Sequence, residues 1–226
     1  MADLAAAAGL TVGGALAAGA ARLRQAGCES PRLDAELLLA EIRHVGREQL
    51  VIDRHEPLAP SAWAGFEVLV ARRQAREPVA YILGRRGFRH LTLCVDRRVL
   101  IPRPETELLV EVGLELAPGS RVADVGTGSG AVALALASER ADLGVVGLEL
   151  DPGALEVARA NAVRLGLGVE FRASDLLDGG DYDAVLANLP YVADGAALAP
   201  EITEYEPARA LFAGRDGLDV IRRLVA

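Results

Sequence analysis

Residues 121–130 read RVADVGTGSG, and Ala131 to Ala137 follow as a run of small apolar residues. A short apolar strand that breaks into alternating glycines and then restarts with helix-forming residues predicts a strand, turn and helix unit. The glycines at 126, 128 and 130 permit positive φ and close approach of a ligand to the backbone. The amides that open the following helix favour an anionic or polar group.

The same pattern recurs outward from this unit. Residues 144–150, GVVGLEL, form a second apolar strand candidate that ends at Glu149, where a carboxylate can accept both hydroxyls of a ribose. A third candidate, 169–173, is followed by Ser174-Asp175-Leu176, an acidic acceptor and an apolar side chain suited to the amino group and ring of an adenine. A fourth spans 182–188. Strands alternating with helices predict an α/β fold with a parallel sheet, and ligands of such sheets bind outside the carboxyl ends of the strands.

The glycine spacing alone leaves the cofactor open, because Gly126, Gly128 and Ala131 also satisfy a dinucleotide-binding pattern. Asp124, just before the glycines, separates the readings: a carboxylate there would repel a pyrophosphate and suits a cationic amino-acid tail. S-adenosyl-L-methionine is therefore the expected cofactor. Its candidate binding residues are Asp124, Gly126, Thr127, Gly128, Ser129, Gly130, Glu149, Asp175, Leu176 and Asn188.

The fourth strand candidate runs into Asn188-Leu189-Pro190-Tyr191. A planar NH2 group offers two donors, which the Asn188 side-chain oxygen and the Leu189 main-chain carbonyl can accept, with Tyr191 covering one face. These four residues are the candidate catalytic and substrate-binding set. Taken alone, they also read as a strand end and a proline turn.

Upstream, Leu33, Leu37, Leu38 and Ile42 recur at helical spacing after Ser30-Pro31, a capping residue and a first-turn proline. Pro57 and Pro60 break the pattern before a second helix predicted from about Ser61 to Arg76. The Ala/Gly-rich start, with Asp3 and no basic region, reads as a frayed end leading into a helix. Residues 88–100 alternate apolar and polar side chains and read as a hairpin or pair of short strands. Pro102 and Pro104 then fix an extended segment, and Glu105 opens the next helix.

The chain has 226 residues and a formal charge of −8, the wrong sign for a dedicated nucleic-acid binder. Arg72, Arg73, Arg76, Arg85, Arg86 and Arg89 form a local basic cluster, which reads as a solvated face or as a contact for an acidic partner. No apolar stretch is long enough to span a bilayer, so no membrane association is expected and the reading is cytoplasmic. Cys28 and Cys94 read as reduced thiols, and His44, His55 and His90 show no metal spacing.

The combination of YILGRRGF (81–88), VLIPRPETELL (99–109), DVGTGSG (124–130), the Asn188 tetrapeptide and YEPARALFAGRDGLD (205–219) resembles the HemK/PrmC family of release-factor glutamine methyltransferases. The resemblance covers essentially the whole chain. It implies a Rossmann-like class I methyltransferase sheet with a small N-terminal helical domain, and methyl transfer to a glutamine side-chain amide in peptide-chain release factors. The domains expected are an N-terminal recognition domain over 1–78, a hairpin linker over 79–103 and a methyltransferase domain over 104–226. The resemblance further implies that residues 101–109 cross the cofactor pocket, with Arg103 and Glu105 as candidates for shaping it. A monomer working near the ribosome is the expectation.

Leu189 stands where the family usually has a second proline, and the Asn-Leu-Pro-Tyr version is similar to the motif of adenine dimethyltransferases acting on ribosomal RNA. An adenine amino-methyltransferase is thus the alternative, with Leu189 expected to contribute only its carbonyl. The implied sheet has seven strands and four are visible, so the sheet is expected to be incomplete at its C-terminal side. That would leave 182–188 as an exposed edge, an aggregation hazard.

Overall fold

The structure, a computed structural model, describes residues 10–226. It divides into two compact units, 1–83 and 84–226. The first nine residues, including Asp3, lie outside the described residues, and the expectation of a frayed end falls there.

The first unit is helical. It contains α1 (Val12–Gln25), α2 (Pro31–Arg43), α3 (Arg47–Ile52), α4 (Pro60–Gln74) and α5 (Val79–Leu83). Thr11 caps α1 by accepting the Gly14 N–H on its hydroxyl, while Pro31 and Pro60 occupy first-turn positions where a missing N–H costs nothing. The core is built from Leu23, Leu38, Leu39, Phe66 and Val70, all fully buried. Periodicity placed Leu33 on the buried face of α2, yet it is exposed. Asp34 is buried in its place, because Arg73 of α4 donates to its carboxylate at 2.8 Å and neutralises it.

The arginine cluster predicted from sequence is largely taken up inside each unit. In the first, Arg72 pairs with Glu77 and Arg76 donates to the Ala26 and Gly27 carbonyls. In the second, Arg89 holds Glu139 at 2.5 Å. These guanidiniums fasten helices and turns.

The second unit opens with an antiparallel pair, β1 (Arg85–Phe88) and β2 (Leu91–Cys94), in which Phe88 faces Leu91. The hairpin therefore begins three residues before Phe88. Arg89, at φ 49°, takes the left-handed turn position, so alternation starting at Phe88 counts the end of the first strand as its beginning. A 3-10 turn at Pro104–Thr106 precedes α6 (Glu107–Leu114), so the helix opens at Glu107, two residues after Glu105.

The main sheet contains β3 (Arg121–Val125), β4 (Gly144–Glu149), β5 (Glu170–Ala173) and β6 (Ala184–Ala187), all parallel, in the order β5-β4-β3-β6. Alternate residues separate two cores. Val122, Val145 and Leu186 join α7 (Ala131–Glu139) and α8 (Pro152–Leu165), while Ala123, Val125 and Leu148 pack on the other face with α10 (Asp219–Val225). Between β6 and α10 runs α9 (Pro200–Thr203). Among the described residues β6 pairs only with β3, and Val185 on it is 41% exposed. The edge expected from the sequence is thus the observed arrangement of these four strands. Among the described residues no helix is long and apolar enough to cross a membrane.

Candidate functional site

The chain steps outward from β3 to β4 and β5, then returns to place β6 on the opposite side of β3. A crevice opens at such a reversal. The register sets what meets there. Val125 pairs with Leu148 and with Ala187, and Glu149 pairs with Ala173. The residues that follow these pairs, Gly126, Asn188 and Ser174-Asp175, together with Glu149 itself, therefore emerge in one row.

One cavity runs along that row and is lined by Gly126, Thr127, Gly128, Glu149, Asp175 and Leu176, with Asn188 and Leu189 at its end. A second is lined by Arg103, Glu105, Tyr191, Val192 and Ile202, among others. The two share Leu100, Thr106, Asn188, Leu189 and Ala210. Asn188 thus stands in the wall between them.

The glycine turn is built as expected in shape, with Gly126, Gly128 and Gly130 at φ of 70°, 56° and 82°. Its polar groups are arranged otherwise. Asp124 is buried, and its Oδ2 accepts the Thr127 hydroxyl at 2.5 Å and the Ala133 N–H of α7 at 3.1 Å. One of the helix amides expected to greet a ligand is therefore already bonded to a protein carboxylate. This strengthens the case against a pyrophosphate, since the helix N-terminus already carries its anion. Glu149 accepts Gly128 N–H on one oxygen and Asp151 N–H on the other, both at 3.0 Å. Each oxygen keeps a second lone pair for a hydroxyl. Asp175 receives Arg223 of α10 at 2.7 Å, a contact not legible in the sequence. Leu176 is held at φ 68°, an unusual position for a branched residue.

Burial pushes the Asp124 carboxyl up to about 6, helped by the Glu149 charge and opposed by the Thr127 and Ala133 hydrogen bonds. A carboxyl raised above its ordinary value contributes stability that is present below about pH 4 and lost as pH rises through 6. Asp124→Asn should abolish this dependence. In urea unfolding, the stability of the parent relative to the variant is expected to fall by roughly 2–3 kcal/mol between pH 4 and pH 8. A difference independent of pH would contradict the burial argument.

Leu189 differs from expectation. The residue is 7% exposed and joins Ala123, Val125 and Leu148 in the apolar core, and a Cβ at Gly126 would lie 3.1 Å from its Cδ2. It therefore contributes packing as well as a carbonyl. The physical reason is strand parity: the direction that sends Val125 into that core sends Leu189 there too.

Sequence reasoning missed one residue of the wall, Thr106, and the Glu206 that fixes the segment leading to it. Thr106 accepts the Asn188 Nδ2 on its hydroxyl at 3.0 Å. Glu206 is buried and accepts the Ile101 N–H at 3.1 Å and the Arg103 guanidinium at 2.5 Å. Glu206 thus anchors the residues that lead to Thr106. Arg103 and Glu105 both line the second cavity. The motifs IPRPETE and YEPARAL flagged both segments, but nothing local marks which side chains meet across them.

The residue set fits S-adenosylmethionine: an open glycine turn, acceptors at Glu149 and Asp175 for hydroxyls and an amino group, and apolar Leu176 and Leu189 beside them. Fold and site together define a methyltransferase of the Rossmann-like class that uses this cofactor. Residues 14–84 match the PrmC N-terminal domain and residues 104–209 the methyltransferase small domain. The chain is 41% identical over 225 residues to the release factor glutamine methyltransferase of Rhodospirillum rubrum, covering 96% of this chain and 69% of that protein. It is 44% identical over 223 residues to the one from Mycolicibacterium smegmatis, covering 94% and 77%. The chain belongs to the release factor glutamine methyltransferase family.

Proposed function

We propose that the protein methylates the side-chain amide nitrogen of a glutamine in a peptide-chain release factor. The observation that carries this reading is Asn188 in the wall common to two cavities, beside the glycine turn on one side and Tyr191 on the other. S-adenosylmethionine, when bound, supplies an electrophilic methyl group.

The residues of the chain do the positioning. Asn188 Oδ1 and the Leu189 carbonyl accept the two N–H groups of the target amide, and Tyr191, 65% exposed, covers it at the mouth. An amide nitrogen is a poor nucleophile because its lone pair is delocalised into its own carbonyl. Fixed acceptors lower that barrier by stabilising the positive charge that grows on the NH2 group. Alignment of the reacting atoms supplies roughly 7–11 kcal/mol in well-oriented systems. The N-alkylated amide cation is strongly acidic and loses its proton to water, so no dedicated base is needed.

In this reading the helical residues 1–78 recognise the release factor, 79–103 link, and 104–226 carry the transfer. The protein acts as a monomer in the cytoplasm, near the ribosome. An adenine acceptor is not favoured by the relatives. Radiolabelled S-adenosylmethionine incubated with the enzyme should label an intact release factor and fail to label one with the target glutamine replaced by alanine. Label on the variant, or on RNA alone, would sink the proposal.

A further inference from the structure

Asn188 has two chemically different ends, and only one of them accepts hydrogen bonds. A carboxamide free to rotate half a turn would present NH2 to another NH2 and repel the target. The side chain must therefore be held with its oxygen facing the acceptor group. In the structure the Asn188 side chain donates from Nδ2 to Thr106 Oγ1 at 3.0 Å. That bond anchors the carboxamide at Thr106; because a hydroxyl donates as well as accepts, the anchor fixes the group's place, and the NH2 of the acceptor selects Oδ1 as the outward end.

Thr106 is itself held. It is buried, closes the 3-10 turn that begins at Pro104, and donates its N–H to the Arg103 carbonyl at 3.1 Å. The Arg103 guanidinium is fixed in turn by the buried Glu206. The hydroxyl that meets Asn188 is thus delivered by a segment clamped a turn away, 82 residues from Asn188 along the chain.

We infer that Thr106 is a positioning residue that anchors the Asn188 carboxamide and holds it where its oxygen meets the methyl acceptor. This rests on the proposed role of Asn188 in holding a glutamine amide. Valine at 106 keeps the shape and removes the hydroxyl, and serine keeps the hydroxyl.

The test is a kinetic cycle of Thr106→Val, Thr106→Ser, Asn188→Ala and the Thr106→Val/Asn188→Ala double variant, with release factor as substrate. Cofactor affinity is measured by titration calorimetry and folding by thermal melts. Thr106→Val is expected to lower kcat by about tenfold or more with cofactor affinity unchanged, and Thr106→Ser to recover to within about threefold. The double variant should be no slower than Asn188→Ala, because both changes remove one function. The inference is overturned if Thr106→Val keeps the parent kcat, if serine is no better than valine, or if the two losses simply add. Full activity of Asn188→Ala would instead remove the reading of the site on which it rests.

Discussion

Asn188→Ala is expected to lower methyl transfer to release factor by roughly two to three orders of magnitude, the usual cost of deleting one preorganised group from a water-excluded site. The side chain lies at the end of the edge strand β6 and packs into neither core cluster. Thermal stability should therefore stay within a few degrees of the parent. Cofactor affinity should fall by less than about tenfold, since most of the cavity along the glycine turn is unchanged. Single-turnover label transfer reads the rate directly and separates it from product release. A variant with the parent rate would show that this carboxamide does not hold the acceptor.

A comparable loss is expected from Gly217→Ala, for a reason located in the backbone. Residues 211–214 run beside 192–194: Val192 N–H donates to the Leu211 carbonyl, Ala213 N–H to the Val192 carbonyl and Asp194 N–H to the Gly214 carbonyl. The AGRDGLD segment thereby supports the stretch that follows the Asn188 tetrapeptide. Gly217 sits at φ 78°, and a Cβ there would lie 2.3 Å from the Tyr191 carbonyl oxygen and 3.1 Å from the Ala193 nitrogen. Both are backbone atoms and cannot rotate away. Alanine must push residues 191–193 aside, and left-handed strain adds roughly 1–2 kcal/mol.

Turnover of Gly217→Ala is expected to fall by about a hundredfold or more, because misplacement of the acceptor site by an ångström has that effect. Gly195 provides the control. It has φ 80° with nothing within 4 Å of a built Cβ, so Gly195→Ala carries the same strain without the collision. It should lose a few degrees of melting temperature and keep most of its activity. Equal losses in the two variants would place the effect in backbone strain alone.

Much of this site was legible before any coordinates. Four strand candidates, the glycine turn, Glu149, Asp175 and the Asn188 tetrapeptide all lie where local patterning placed them, at the carboxyl ends of a parallel sheet. Apolar runs broken by glycine or proline carry that information locally. What local patterning misread depends on partners far away in sequence. Asp34 is buried because Arg73 reaches it across the helical unit, and an amphipathic pattern counts a carboxylate as outward-facing. Asp124, whose carboxylate suits a cationic tail, also accepts from Thr127 and Ala133, near neighbours in sequence that only the turn's closed shape brings round.

The sequence by itself determined the class of sheet, the cofactor it suits and the family, because those rest on residue types in fixed local order. Only the tertiary structure decided which atoms act together. Pairing of Val125 with Ala187 sets the glycine turn beside Asn188. Folding of residues 99–106 against Glu206 brings Thr106 to the carboxamide. Strand parity sends Leu189 inward, to pack beneath Gly126. Register and cross-chain hydrogen bonds join residues with no spacing relation along the chain, so no periodicity could announce them.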